Sequence, residues 1–235
     1  MAATTEVGAL EPGEFICLDA TPLLTFNRIG ELAILEKWFP DGATPTYVMQ
    51  EEILAWTHKY PENKMFAGAA WPHAIAADTT ADTVIIDQLG QFFAEGTKNV
   101  GELHVIALTH RFQGTAILDD NSARKRGEST NPPISSVFMV SMVAAAAISG
   151  LISDSGAWEL QCRIEKSRGP GFALIRPEDK KEFEALLRFY RQIEKNKGWK
   201  KWPHCLHDRL LDVATISARK NQLDVLYKKS GFGKA

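Results

Sequence analysis

The chain has 235 residues, of which 45% are hydrophobic and 24% are charged, as in an ordinary soluble globular protein. This length suits one large domain, or a domain of about 150 residues with an appendage. Three scattered cysteines exclude a disulfide framework, and residues 1–14 contain no basic residue or apolar run that could form a secretory leader. A cytoplasmic location is therefore expected.

The net charge of −2 conceals an uneven distribution. Residues 1–160 contain 9 Lys and Arg against 20 Asp and Glu, whereas residues 161–235 contain 18 against 9, so the two parts carry −11 and +9. A basic C-terminal region could bind the phosphate backbone of a nucleic acid. A solvated helical surface explains the same charge equally well.

The first part of the chain predicts alternating strands and helices. Residues 15–18 are apolar and predict a buried strand, and apolar positions in residues 21–39 recur at helical spacing. Residues 45–49 predict a second strand, followed by a helix that begins at Glu51. Residues 59–77 contain Pro and Gly at several positions and indicate a loop with short structure.

The same alternation continues in the middle of the chain. Residues 84–86 predict a short strand, residues 101–111 a helix, and residues 115–118 another buried strand. This order is typical of an α/β protein with a parallel sheet. Residues 134–148 carry no charge but are rich in Ser and Ala, which favours a buried helix over a membrane span.

The C-terminal region has a different character. Residues 177–197 predict an amphipathic helix, with Pro at its start and Gly198 just beyond its end. A further helix is expected from residue 207 to residue 229. This region is therefore predicted to be basic and mainly helical.

Aspartates directly follow two of the predicted strands. Asp19 follows residues 16–18, and Asp119 and Asp120 follow residues 116–118. The carboxyl ends of parallel strands lie at one edge of the sheet, where ligands bind. Carboxylates gathered there repel one another, and unless some become neutral, a hard divalent cation such as Mg²⁺, Mn²⁺ or Ca²⁺ relieves the repulsion. The sequence therefore predicts a metal-dependent hydrolase.

Several short motifs occur in order along the chain. They are LDATPLL at 18–24 followed by RIGEL at 28–32, VMQEEI at 48–53, GELHVIAL at 101–108, ILDDNSAR at 117–124 and GLI at 150–152. In order and spacing they resemble the PIN-domain family of metal-dependent nucleases. The resemblance implies an α/β three-layer sandwich with a central parallel sheet, RNase H-like or flavodoxin-like, over residues 14–153. Residues 154–235 would form a helical extension packed on or beside it.

The resemblance also implies an acidic quartet that binds Mg²⁺ or Mn²⁺ and cuts phosphodiester bonds, usually in RNA. Carried over to this chain, the predicted catalytic residues are Asp19, Glu52, Glu102 and Asp120, with Asp19, Glu102, Asp119 and Asp120 as metal ligands. Glu51 is the alternative to Glu52, because adjacent helical residues cannot both face one site. His104 stands where this branch of the family often has a second glutamate.

Other residues are predicted to contact the substrate. Thr21 could hold a water or a phosphate oxygen, and Arg124 could hold a phosphate or pair with a site acid. The basic C-terminal region offers Lys197, Lys200 and Lys201 to phosphates, beside Trp199 and Trp202, which could stack on unpaired bases. Each residue also has a structural interpretation: an Asp after a strand can cap a helix, Arg124 can be a surface cation, and the tryptophans can pack helices together.

The predicted function is thus a metal-dependent endoribonuclease. The resemblance further suggests the toxin of a toxin–antitoxin pair, with RNA as substrate and an antitoxin protein as partner. A homodimer is a second candidate assembly that the sequence leaves open, and the composition of residues 134–148 argues against a membrane partner. One alternative is a non-catalytic protein that keeps the fold and binds nucleic acid or a protein. A haloacid dehalogenase-type phosphatase is disfavoured, because Thr21 stands where that family needs a second Asp.

Overall fold

The computed structural model describes residues 15–91, 99–148 and 150–168, together with separate residues between 180 and 191. Five parallel strands form one sheet in the order β3-β2-β1-β4-β5. The strands are β1 Ile16–Leu18, β2 Ala43–Pro45, β3 His73–Ile75, β4 Thr115–Ile117 and β5 Ser135–Val137. The described α-helices are α1 Ala20–Arg28, α2 Leu32–Trp38, α3 Thr80–Gly90, α4 Val100–Arg111, α5 Asn121–Glu128, α6 Met139–Ile148 and α7 Asp154–Arg168.

Strand β1 lies at the centre of the sheet. Cys17 in β1 is in register with Ala43 of β2 on one side and with Ala116 of β4 on the other. The chain runs outward from β1 through β2 to β3, then returns to the far side of β1 and continues through β4 to β5. The direction of strand addition therefore reverses between β1 and β4. In open α/β sheets, this reversal opens a crevice at the carboxyl ends of the strands.

Helices cover both faces of the sheet and make the domain a three-layer α/β sandwich, as the sequence predicted. Strands β1 and β4 are buried along their whole length, as expected for a parallel sheet that is covered on both sides. Helix α6 is buried at all but two of its ten positions, and its run Ala144–Ala147 lets neighbouring elements approach closely. Among the residues described, no helix is long and apolar enough to cross a membrane.

Several predicted elements differ from the structure. The helix predicted over residues 21–39 is divided into α1 and α2, because Gly30 adopts a positive φ of 72° that ends α1. The second strand lies earlier than predicted, and residues 48–53 form a π-helical segment followed by a 3₁₀ turn, Leu54–Trp56. The stretch predicted as loop contains a 3₁₀ helix, Pro61–Phe66, and the edge strand β3.

The strand predicted over residues 84–86 is wrong, because these residues lie inside α3. Thr79 and Asp82 form a reciprocal capping box at the start of this helix, which stabilises the helical state in spite of the β-branched residues that follow. The buried helix predicted over residues 134–148 is confirmed for α6. Its first residues instead form β5 at the edge of the sheet.

Helix α7, for which no separate bounds were predicted, lies within the region expected to be helical and packs on the sandwich. Arg163 of α7 binds both the Glu31 carboxylate and the Ile29 carbonyl, and Arg28 of α1 donates to the Ser167 carbonyl at 3.1 Å. The described positions of the helix predicted over residues 177–197 are helical. The rest of that helix, and the one predicted over residues 207–229, lie outside the described residues.

Candidate active site

Asp19 lies where β1 ends and α1 begins, at the crevice. Its Oδ2 accepts a hydrogen bond from the backbone N–H of Thr21 at 3.4 Å, so the side chain caps α1. The Thr44 hydroxyl donates to the Leu18 carbonyl at 2.8 Å and ties the end of β1 to β2. Asp19 is 4% exposed, and its Oδ1 is buried with no hydrogen-bond partner among the described residues.

Glu102 lies in the first turn of α4, where a negative charge interacts favourably with the helix dipole. The residue is half-buried, and within the described chain its Oε2 is buried without a hydrogen-bond partner. Asp19 and Glu102 thus each place in the interior a carboxylate oxygen that no described residue satisfies with a hydrogen bond. Such groups are rare in folded proteins and call for an explanation.

Glu52 reaches the start of α4 from the π-helical segment Val48–Ile53. Its Oε1 accepts a hydrogen bond from the backbone N–H of Gly101 at 3.1 Å. A Cβ at position 101 would overlap this carboxylate, so the close approach requires glycine. The neighbouring Glu51 is exposed. The structure therefore brings Glu52, and not Glu51, to α4, and π-helical turns of this kind occur frequently at functional sites.

Asp119 and Asp120 follow β4 and lie at the starts of two further helices. The Asp119 Oδ1 accepts the N–H of Met139 at 2.8 Å, at the start of α6. The Asp120 Oδ1 accepts the N–H of Ala123 at 2.6 Å and caps α5. Asp119 is half-buried and Asp120 is exposed. Asp120 therefore caps the helix that follows its strand, as its position allowed, whereas Asp119 binds the start of a helix 20 residues further along the chain.

The four acids of the predicted quartet influence one another electrostatically. Burial, with a further contribution from Asp119, raises the pKa of Asp19 to about 6. Burial and the charge of Asp19 raise the pKa of Glu52 to about 7. For Glu102, burial together with the charges of Asp19, Glu52 and Asp120 raises the pKa to about 8. These acids therefore lie close enough to oppose one another's ionisation at the carboxyl edge of the sheet.

This donor set suits a hard cation in chemistry and charge. Asp19 Oδ1 and Glu102 Oε2 are buried carboxylate oxygens without a hydrogen-bond partner among the described residues, and oxygen ligands of this kind are preferred by Mg²⁺ and Mn²⁺. In the part of the chain that the structure describes, however, no three His, Cys, Asp or Glu side chains are arranged to hold a metal ion. One oxygen each of Glu52, Asp119 and Asp120 is bound to a backbone N–H instead.

The predicted substrate contacts have different locations. Thr21 is half-buried directly beside Asp19. Arg124 is 4% exposed, with its guanidinium 3.8 Å above the Phe138 ring and its Nε 3.3 Å from the Ser136 hydroxyl. The interpretation of Arg124 as a surface cation is wrong, because the side chain holds α5 against β5. The lysines and tryptophans predicted at residues 197–202 lie outside the described residues.

Two contacts near the site were not predicted. The ring of His104 stacks on Tyr47 with centroids 4.7 Å apart and planes inclined by 11°, and burial lowers the pKa of His104. The fully buried Asp82 forms an ion pair with Arg111 at 2.6 Å, which joins α3 to α4. Both pairs join residues more than 25 positions apart, and no local sequence pattern points to them.

Comparison with known proteins identifies the family. The family model described as a PIN domain matches residues 15–155, which include all five strands and all five acids described above. No curated protein and no solved structure gave a significant match. The match covers more than half of the chain, and the parallel sheet with its acidic edge agrees with it. The chain belongs to the PIN-domain family, which has a nuclease-type fold.

Proposed function

We propose that this PIN domain is a metal-dependent endoribonuclease that hydrolyses phosphodiester bonds in RNA. One observation carries the proposal: Asp19 and Glu102 come from separate elements, influence each other electrostatically, and each bury a carboxylate oxygen that has no partner among the described residues. A structural role does not explain this arrangement, since burial and mutual repulsion make it costly to ionise the two acids together. A bound divalent cation would remove that cost.

The chain's own residues have separable roles in this proposal. Asp19 and Glu102 would hold Mg²⁺ or Mn²⁺ with their unpartnered oxygens, with Asp119 and Asp120 as nearby acidic groups. Glu52 fixes the start of α4 through its bond to Gly101 and thereby orients Glu102. When bound, the cation would supply Lewis-acid chemistry, which neutralises charge on the phosphate and favours ionisation of water. Thr21, beside Asp19, is in a position to donate a hydrogen bond to a phosphate oxygen.

A cleavage assay tests the proposal directly. The full chain is incubated with a mixed RNA pool in Mg²⁺, Mn²⁺ or EDTA, beside Asp19→Asn, Glu102→Gln and the control Asp41→Asn. Asp41 is exposed in the turn before β2, at the opposite edge of the sheet. We expect the wild type to cleave RNA only when Mg²⁺ or Mn²⁺ is present. The cleavage rate should fall about 100-fold or more in both site variants and should equal that of the wild type in the control. Cleavage that survives in EDTA or in Asp19→Asn would refute the proposed mechanism.

The alternative to an enzyme is a PIN domain that binds nucleic acid or a protein without cutting. It predicts no cleavage under any metal condition, with binding of either RNA or a protein partner by the wild type. A toxin role rests on the family resemblance alone. It predicts that expression arrests growth, that Asp19→Asn abolishes the arrest, and that a specific antitoxin protein restores growth. Arrest that persists in Asp19→Asn would refute a toxin that acts by cleavage.

We also propose that three lysines of the C-terminal region contact RNA. If Lys197, Lys200 and Lys201 neutralise phosphates, changing all three to Ala should flatten the salt dependence of single-stranded RNA binding by up to ~2 units in log–log slope. Cleavage of a short bound substrate should survive, because these residues lie outside the acidic site. An unchanged slope would assign the region to packing or to a protein partner.

A further inference from the structure

A surface cluster of aromatic and cationic side chains lies just beyond the Glu52 segment. It consists of Trp56, His58, Lys59, Tyr60 and Arg28, and is called here the aromatic–cation patch. We infer that this patch binds an unpaired stretch of the RNA substrate by stacking its bases and neutralising its phosphates. The inference rests on the proposed function and names the substrate class and the residues that would hold it.

The patch exposes aromatic surface that a folded domain normally buries. Trp56 is 46% exposed, although Trp is among the most buried side chains on average. His58 and Lys59 are exposed beside it, and Tyr60 is half-buried. A single exposed apolar residue needs no explanation, but a group of contiguous rings at the surface is typical of a binding site.

Rings and cations alternate across the patch. The Lys59 Nζ lies 5.8 Å from the centroid of the Trp56 ring and 5.3 Å from that of Tyr60, so it stands between the two. The Arg28 Cζ also lies 5.8 Å from the centroid of the Tyr60 ring. The His58 ring is nearly parallel to Trp56, with centroids 5.9 Å apart and planes inclined by 24°. A single nucleic-acid strand offers the complementary groups, bases with π faces and phosphates.

The patch adjoins the acidic site along the chain. Trp56 follows Glu52 by four residues within one helical run, Val48–Ile53 and then Leu54–Trp56. At a rise of at most ~2 Å per residue, as in a 3₁₀ turn, the two residues are no more than ~8 Å apart along the helical axis. A strand bound across the rings could therefore continue towards the crevice where Asp19 and Glu102 lie.

The scaffold beneath the patch is fixed by buried and long-range contacts. Asn63, 2% exposed, donates from Nδ2 to the Ile53 carbonyl at 3.2 Å. Arg28 is anchored by its bond to the Ser167 carbonyl in α7, 3.1 Å away. A rigid arrangement of this kind lowers the entropy cost of binding. Because a duplex keeps its bases stacked inside, the patch should prefer unpaired RNA.

Binding measurements on single variants test the inference. Fluorescence anisotropy with a labelled 12-nucleotide oligouridylate and with an RNA duplex of the same length is measured in EDTA, which prevents cleavage. The variants are Trp56→Ala, Trp56→Phe and Lys59→Ala in the full chain. Lys37→Ala is the matched control, because Lys37 is an exposed lysine on α2 outside the patch. Melting curves establish that each variant is folded.

We expect Trp56→Ala to weaken oligouridylate binding about tenfold or more, and Trp56→Phe to remain within about threefold of wild type, because a phenyl ring still stacks. Lys59→Ala should flatten the log–log salt slope by ~0.7, while Lys37→Ala should leave it unchanged. Wild-type affinity in folded Trp56→Ala, or a wild type that prefers the duplex, would overturn the inference. A wild type that cuts no RNA in any metal, but binds oligouridylate through Trp56, would refute the proposed nuclease and leave the patch standing.

Discussion

Replacing Asp19 by Asn should make the metal-free protein more stable, and increasingly so as the pH rises. Burial, with the nearby charge of Asp119, raises the pKa of Asp19 from 3.8 to about 6. The folded state therefore binds a proton on the Asp19 carboxyl group more tightly than the unfolded state does. The stabilisation that this protonation provides is complete below about pH 4 and is lost as the pH rises through 6. Asn removes the charge but remains a good N-cap for α1.

The size of the effect follows from the same pKa. A rise of roughly 2 units corresponds to about 3 kcal/mol at a pH above both values. This is an upper limit, because Asp19 shares its repulsion with neighbouring acids and because the amide must also be desolvated. We expect a gain of about 1–3 kcal/mol at pH 8. For a domain of this size, each kcal/mol raises the melting temperature by about 2–4 °C.

Urea and thermal unfolding of the full chain in EDTA, at pH 5 and pH 8, measure the effect. Asp19→Asn should exceed wild type clearly at pH 8 and by much less at pH 5. Asp41→Asn, an exposed aspartate at the opposite edge of the sheet, should match wild type at both values. A variant that is less stable than wild type at pH 8 would show that Asp19 is a satisfied structural anion. The argument for a cation beside it would then fail.

The remaining predictions concern the same edge of the sheet and its support. Millimolar Mn²⁺ should raise the melting temperature of wild type and not of Asp19→Asn, because a ligand that binds only the folded state stabilises it; an equal shift in both would place the ion elsewhere. Gly101→Ala should displace the Glu52 carboxylate and reduce RNA cleavage, while urea unfolding changes by less than about 1 kcal/mol, because a flexible side-chain end yields easily. Arg111→Met should cost about 3–5 kcal/mol in urea unfolding, because it leaves Asp82 buried without its cation; a loss below 1 kcal/mol would contradict this.

The sequence predicted the elements that position the site better than those at the edges. Strand β1 and helix α4 match their predictions within a residue, because a buried apolar run and helical periodicity are strong local signals. Strand β3, His73–Ile75, is partly exposed and follows a Pro- and Gly-containing stretch, so its pattern is weak. The composition of residues 84–86 favours a strand. The Thr79 capping box and packing against α4 nevertheless stabilise a helix there.

The residues of the candidate site could be named from the sequence, but their contacts could not. The position of Asp19 after an apolar strand is a local signal, and its approach to Asp119 follows from strand order. The bond between Glu52 and Gly101 joins residues 49 positions apart and depends on a π-helical turn, which no periodicity indicates. The burial of Arg124 likewise depends on Phe138, which reaches it from the next strand segment.

The same geometry explains how so many carboxylates can lie together in a stable fold. In a parallel sheet, the helix that follows a strand begins at the edge where that strand ends, and α1, α5 and α6 begin here beside Asp19, Asp120 and Asp119. Each aspartate is stabilised by a backbone N–H and by the positive end of a helix dipole. The capping and ligand interpretations are therefore compatible, because a carboxylate has two oxygens and a cap uses one. In Asp19 the second oxygen is buried and unpartnered among the described residues. Removing the charge of Asp19 should therefore abolish cleavage without destabilising the fold.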